Sequence, residues 1–246
     1  MREHLMALAD GTVGAVRIKS FLPDHICQAV LSDISPGLLI RYDEDRYPVQ
    51  AYRFGPTLNE YQDNGTLRKT YWHSAAIADR TLNATQSHGI LRECIVDQLA
   101  KVDAGSVLPA SIQGRAVYWP IIREISQGTL LHWDDISREY PNGLFDQHVL
   151  HQFALNVFLQ NPHEGGELRV WRRKWQRDDE DHRHAFGYRF DLMRIPPDVT
   201  LRAERGEALI FNPSYYHDVR PSCGEGRRIT LSLFVGATSY GLIVWS

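Results

Sequence analysis

His132 and Asp134 place an imidazole and a carboxylate two positions apart, and at the end of an extended run those side chains point to one side of the chain. A second imidazole, His217, lies far downstream in FNPSYYHDVRPSCGEGRRITLSLFVG. Two imidazoles and one carboxylate on one face of a metal leave the opposite face open. That donor pattern suits oxygen chemistry at Fe(II), and zinc accepts it too. An isolated His-x-Asp is weak in a chain with 11 histidines, so its setting must carry the reading. The pair ends a strand-like run at a polar turn, His217 occupies the same kind of place late in the chain, and an arginine pair opens the next strand-like run.

The elements that must position these residues follow from periodicity. VGAVRIKSF, residues 13 to 21, reads as a strand, and DHICQAVLSDI as a helix with Asp24 as its N-cap and Ile26, Val30 and Ile34 as its stripe. Residues 35 to 87 are rich in turn residues and are expected to form loops and short elements. A helix is expected over 88 to 101, with Ile90, Leu91, Cys94, Ile95 and Leu99 on one face. From about residue 115 strands dominate: AVYWPIIREI, SQGTLL leading into the His-Trp-Asp turn, and the long VLHQFALNVFLQ. Gly165-Gly166 then turns into a hairpin-like return, ELRVW. VTLRA, EALIFN, YYHDV and RRITLSLFV follow, and GLIVWS reads as a final edge strand. The densely charged stretch from 172 to 189 reads as a solvated surface loop, though it is long enough for a lid. Closely spaced strands with turn punctuation suggest a barrel or jelly roll.

The chain has 246 residues, 43% hydrophobic and 23% charged, which fits one domain over residues 1–246: a mixed, helical support region (1–114) and a β core (115–246). A net charge of -3 gives no general attraction for a nucleic-acid polymer or an anionic membrane. No apolar run is long enough to span a bilayer, and the opening MREHLMALADGTVG lacks the apolar stretch of a signal peptide. Cys27, Cys94 and Cys223 are odd in number and far apart, which suits a reducing cytoplasm, and no CxxC spacing points to structural zinc.

The order His-x-Asp, GGEL, GEALIFNPSYYH and RRITLSLF resembles the Fe(II)/2-oxoglutarate-dependent oxygenases from about residue 115 to 236, and the opening strand and helix are similar to those that precede the barrel in that superfamily. GGELRVWRRKW, FNPSYYHDVRP and LIVWS are similar to the subgroup of free-amino-acid radical halogenases and their hydroxylase relatives. The resemblance implies a mainly β fold with flanking helices, a double-stranded β-helix of jelly-roll, cupin-like form. It implies that His132, Asp134 and His217 hold iron and that Arg228 pairs with the distal carboxylate of 2-oxoglutarate, whose shape its planar fork matches. Arg227 competes for that role. Strand alternation puts Arg228, Thr230 and Ser232 on one face and Ile229, Leu231 and Leu233 on the other, which favours Arg228 and lets Thr230 add a hydroxyl. Asn156 shares a face with Phe158 and could hydrogen-bond the cosubstrate, or equally a neighbouring backbone group.

The implied cofactors are Fe(II), 2-oxoglutarate and O2, and the implied reaction is a dioxygenase's hydroxylation of an unactivated C–H bond. In the halogenase relatives the carboxylate position holds a small residue that leaves room for halide. Asp134 fills it here, so hydroxylation is expected, with desaturation or ring formation as other outcomes. A small-molecule substrate is expected, a free amino acid before a nucleotide, peptide or other metabolite. Glu124 and Asp135 are candidates for a substrate ammonium, and Trp245 for a side chain closing over the substrate. A surface ion pair, a turn cap and aromatic packing are their more ordinary roles. Arg68, Lys69, Tyr71 and Trp72 could cover the barrel mouth or be surface and core residues. The competing classes are a cupin-type metal-binding module, which has no need of the arginine fork, and a zinc hydrolase, which would need neither O2 nor 2-oxoglutarate.

Overall fold

The computed structural model describes residues 2–34, 36–45, 47–85, 88–102 and 105–246. Four helices are interspersed with the first strands: α1 (Arg2–Ala9), α2 (Asp24–Asp33), α3 (Thr70–Asn83) and α4 (His88–Val102). The strands that matter for the site are β1 (Ala15–Ile18), β2 (Ile40–Arg41), β3 (Tyr52–Phe54), β4 (Ser106–Pro109), β5 (Ile121–Glu124), β6 (His151–Gln160), β7 (Leu168–Lys174), β8 (Val199–Leu201), β9 (Ala208–Phe211), β10 (Tyr215–Val219), β11 (Ile229–Thr238) and β12 (Gly241–Trp245).

Two sheets face each other. The larger runs β1-β9-β6-β11-β5-β3-β2, with β12 also on β11 and β4 on β12; the smaller runs β8-β7-β10. All these pairings are antiparallel except β12 with β4. The architecture is the mainly antiparallel jelly roll with flanking helices that the strand pattern suggests. Alternation along β6, β9 and β11 divides the side chains. Leu155, Val157, Ile210, Leu231, Leu233 and Val235 pack outward with Leu91, Ile95 and Leu99 of α4. Ala154, Phe158, Leu209 and Phe211 pack inward with Leu168 and Val170 of β7.

Several elements depart from expectation. Asp24 does not cap α2: Pro23 holds the N-cap position without a side-chain cap, and Asp24 is the first helical residue, paired with Arg205. A carboxylate there still favours the positive end of the helix dipole. The stretch from 35 to 87, of which 35, 46, 86 and 87 lie outside the described residues, contains α3. Its buried stripe is Tyr71, Ala75, Ala78 and Leu82, of which the two alanines make a weak hydrophobic signal. On α4 Ile90 is exposed, and the buried face is Leu91, Ile95, Leu99 and Val102.

AVYWPIIREI is not one strand. Only Ile121–Glu124 joins the large sheet, and Pro120 just before it has no N–H to give a ladder. SQGTLL forms no strand of its own. ELRVW does not return along β6 but crosses to the second sheet, between β8 and β10. Gly166, at φ +74°, permits that crossing, and a Cβ on it would press on the Arg228 side chain. Finally, β12 is not an edge, because β4 covers it.

Candidate metal centre

Three backbone hydrogen bonds assemble the centre. The His132 N–H donates to the His217 carbonyl at 2.9 Å, and the His217 N–H donates to the His132 carbonyl at 2.8 Å. Two residues on, the Asp134 N–H donates to the Pro213 carbonyl at 2.8 Å. Segment 132–134 is thus laid antiparallel against the entry to β10. Directly paired residues share a face, and so does the residue two positions on. The ligand atoms of His132, Asp134 and His217 consequently all lie within 4.8 Å of one another.

Each imidazole is oriented by its own strand. His132 Nδ1–H donates to the Leu130 carbonyl at 2.8 Å and His217 Nδ1–H to the Tyr215 carbonyl at 2.9 Å. A carbonyl only accepts, so this fixes the tautomer and leaves both Nε2 lone pairs free. They stand 4.0 and 3.6 Å from Asp134 Oδ2. Phe211 packs its ring edge-on against His217, and Phe186 does so against His132. Burial, and then the neighbouring His217, push the His132 imidazolium down to about 4, so the ring is a neutral donor near pH 7. Burial alone would raise the Asp134 carboxyl, but the flanking imidazoles and the charge of Arg123 hold it at about 2, as a carboxylate. Two imidazole nitrogens and a carboxylate converging from one side fit a divalent iron with open positions.

The centre lies where a wide cavity of about 700 Å³ meets a narrower inner cleft. Arg123, His132 and Asp134 line both. The cleft adds Asn156, Phe211, His217, Arg228 and Ser232. Arg228 is 2% exposed, its Nε–H donates to the Gly166 carbonyl at 3.0 Å, and its guanidinium lies over the Phe158 ring. Among the described residues no carboxylate pairs with it. Burial, then the charge of Arg123, bring its pKa down to about 10. A buried guanidinium without a counter-ion costs several kcal/mol, a cost that a bound carboxylate offsets. The inner end of the cleft therefore fits the far carboxylate of 2-oxoglutarate.

The other site candidates fall as follows. Arg227 pairs with Glu124 outside the cleft, so neither lines a cavity beside the metal residues. Thr230 is fully buried and does not line the cleft. Its hydroxyl meets that of Ser232 at 3.2 Å, and Ser232 donates to Asn156 Oδ1 at 2.7 Å. Asp135 caps the one-turn helix Ile136–Glu139 by accepting from the Ser137 N–H. Trp245 is 1% exposed and packs on Phe145 and Phe234, as core rather than cover. Arg68, Lys69, Tyr71 and Trp72 line neither cavity. The Tyr71 hydroxyl accepts from the Tyr118 N–H, and Trp72 lies under Arg115.

The charged segment is not a solvated loop. Asp179 is 2% exposed, held by Arg173 and the Tyr216 hydroxyl, and Tyr188 bridges by its backbone to Leu131 beside the centre. This docking carries Arg183 and Phe186 to the wall of the wide cavity. Tyr42, Tyr47 and Arg123, which line it as well, carried no sequence signal of their own. Only the pairing of Arg123 with Thr230 on β11 shows that it faces inward.

No family model matches the chain. L-gamma-glutamyl-L-propargylglycine hydroxylase of Streptantibioticus cattleyicolor is 37% identical over 248 residues, covering 100% of this chain and 92% of that protein. The N-substituted L-amino acid dioxygenase of Burkholderia ambifaria, solved in complex with α-ketoglutarate, superposes with a TM-score of 0.61 at 18% identity, covering 100% of this chain and 91% of that one. HygX of Streptomyces hygroscopicus, solved with nickel, 2-oxoglutarate and hygromycin B, gives 0.50 at 16% identity over 97% of this chain and 88% of that one.

Proposed function

The chain belongs to the Fe(II)/2-oxoglutarate-dependent oxygenases, and from that premise we propose that it hydroxylates an unactivated C–H bond of an amino acid or amino-acid derivative, with His132, Asp134 and His217 holding the iron. Its cofactors are Fe(II), 2-oxoglutarate and O2. Bound together, they would supply an oxidant able to remove hydrogen from such a bond, with 2-oxoglutarate oxidatively decarboxylated to succinate and carbon dioxide and the second oxygen atom of O2 entering the product.

The observation that carries the residue assignment is the pairing of two free Nε2 donors and Asp134 with a buried, carboxylate-free Arg228 in the same cleft. In this reading His132, Asp134 and His217 would hold the iron and Arg228 would fix the far carboxylate, while Asn156 and Ser232 give the cleft wall its polarity with Thr230 behind Ser232. The cleft's apolar lining, Ala154, Leu168 and Phe211, keeps bulk water from the cosubstrate. Asp134 fills the position that a halide would need, which favours hydroxylation over halogenation. Residues 1–246 are read as one oxygenase domain; the expected boundary at 115 does not separate support from β core, because β1, β2, β3 and β4 from the first part pair within the large sheet while the helices pack on its outer face. The relative's γ-glutamyl dipeptide substrate favours a derivative over a free amino acid. The charge of -3 gives no attraction for a nucleic-acid polymer.

The test is succinate release with Fe(II), 2-oxoglutarate and O2 across free L-amino acids, N-acyl and γ-glutamyl amino acids and mononucleotides, with product masses read alongside. The expected result is an amino-acid compound that stimulates succinate and gains one oxygen. Stimulation by nucleotides alone would discard the substrate class and leave the oxygenase standing. An iron-loaded protein that neither makes succinate nor develops the visible band of the Fe(II)–2-oxoglutarate complex would return the chain to the metal-binding modules.

A further inference from the structure

The molecule holds a second buried guanidinium that the oxygenase reading leaves without a role. Arg123 sits on β5, paired with Thr230 of β11 on one side and Arg53 of β3 on the other, and its side chain turns to the inner face. Its Nε is buried and has no hydrogen-bond partner. Among the described residues no salt bridge joins it to a carboxylate; the Asp134 carboxylate acts on it only at longer range, and Tyr42 is its hydrogen-bonding neighbour. Other shielded arginines are matched: Arg53 with Glu60, Arg169 with Asp218, Arg173 with Asp179. A buried cation without a direct ion pair costs stability unless an anion joins it.

The cosubstrate does not account for that anion. 2-Oxoglutarate has two carboxylates: the near one belongs with the iron and the far one with Arg228 at the inner end of the cleft. Arg228 does not line the wide cavity, whereas Arg123 lines both spaces beside Asp134. An anion on Arg123 can therefore arrive through the wide cavity, the way a substrate enters. We infer that Arg123, with Tyr42 beside it, anchors a free carboxylate of the substrate, whose remaining portion extends from that anchor into the wide cavity. The volume of about 700 Å³ lies within the range that takes drug-sized ligands, more than one amino acid fills. An anchor beside Asp134 also places the oxidised carbon on the residue that bears the carboxylate. This inference rests on the oxygenase reading and adds the substrate's recognition.

The test compares each carboxylate with its own neutral analogue. γ-Glutamyl and N-acetyl L-amino acids and the corresponding C-terminal carboxamides are titrated into the wild-type enzyme with Fe(II) and 2-oxoglutarate under anaerobic conditions, and the perturbation of the visible band is followed; succinate release is measured in parallel. The expected result is binding of at least one acid, about 10- to 100-fold weaker binding of its amide, and product oxygen on the carboxyl-terminal residue by fragment mass. Arg123→Gln should remove the preference for acid over amide while leaving half-saturation by 2-oxoglutarate unchanged, and Arg123→Lys should restore part of it. Equal binding of acid and amide by the wild type, or no response to any acid from an enzyme that still shows the 2-oxoglutarate band, would overturn the inference without needing a variant. A raised requirement for 2-oxoglutarate in Arg123→Gln would also overturn it, by giving Arg123 to the cosubstrate. Absence of the band itself would instead defeat the oxygenase reading.

Discussion

Asp134 is the residue on which the chemistry turns. It is held as a carboxylate beside the His132 and His217 imidazoles, and its replacement by alanine takes one of three donors from the metal. Even outer-shell partners of metal ligands are worth roughly 10- to 100-fold in affinity or activity, so Asp134→Ala should lose at least about 100-fold in coupled turnover. Iron titration and succinate release together check this, and wild-type turnover would remove Asp134 from the centre. Arg228→Gln should raise the concentration of 2-oxoglutarate that half-saturates the visible band by about 10- to 100-fold, since charge-assisted hydrogen bonds to a carboxylate are lost. An unchanged value would pass carboxylate recognition to another cation. At this scale the residue types were legible: histidine, aspartate and arginine announce their chemistry. Arg123 was not, because its neighbour Glu124 offers an equally plausible functional group and only the sheet decides which of the two turns inward.

The segment from 172 to 189 makes the same point for an element. Its composition is that of a solvated loop, yet Arg173, Asp179 and Tyr216 lock it onto β10 next to His217. Burial would raise the Asp179 carboxyl, but hydrogen bonds from Arg173, the Gln176 backbone and Tyr216 outweigh it and keep the group below the usual carboxylate range. A carboxyl depressed in the folded state stabilises it above the unfolded pKa of about 4 and loses that contribution as pH falls through the lower, folded value. The segment should therefore loosen in acid before the sheets do, and Asp179→Asn should loosen it at neutral pH. Hydrogen exchange of residues 175–189 against that of β6 and β11 measures both, and equal protection in wild type and variant would refute the lock. Because Phe186 packs on His132 and Tyr47, a loosened segment should also raise the substrate's Michaelis constant.

Across the whole molecule, the helices and the outer face of the large sheet share one core, and Trp245 near the C-terminus belongs to it. Trp245→Ala removes a ring packed between Phe145 and Phe234 and should cost about 3–5 kcal/mol, measured by denaturant unfolding. A changed Michaelis constant at unchanged stability would make it a substrate contact instead. Among the described residues no helix is long and apolar enough to cross a membrane. Locally periodic information was enough to find the β core, the alternation that turns Arg228 inward and the donor types of the metal site, because a strand's side chains alternate whatever its partners are. What a strand pairs with depends on contacts far away in the chain. The backbone exchange between His132 and His217, the inward turn of Arg123, the crossing of ELRVW to the second sheet and the docking of the charged segment are all set by long-range register, and no local pattern carries register.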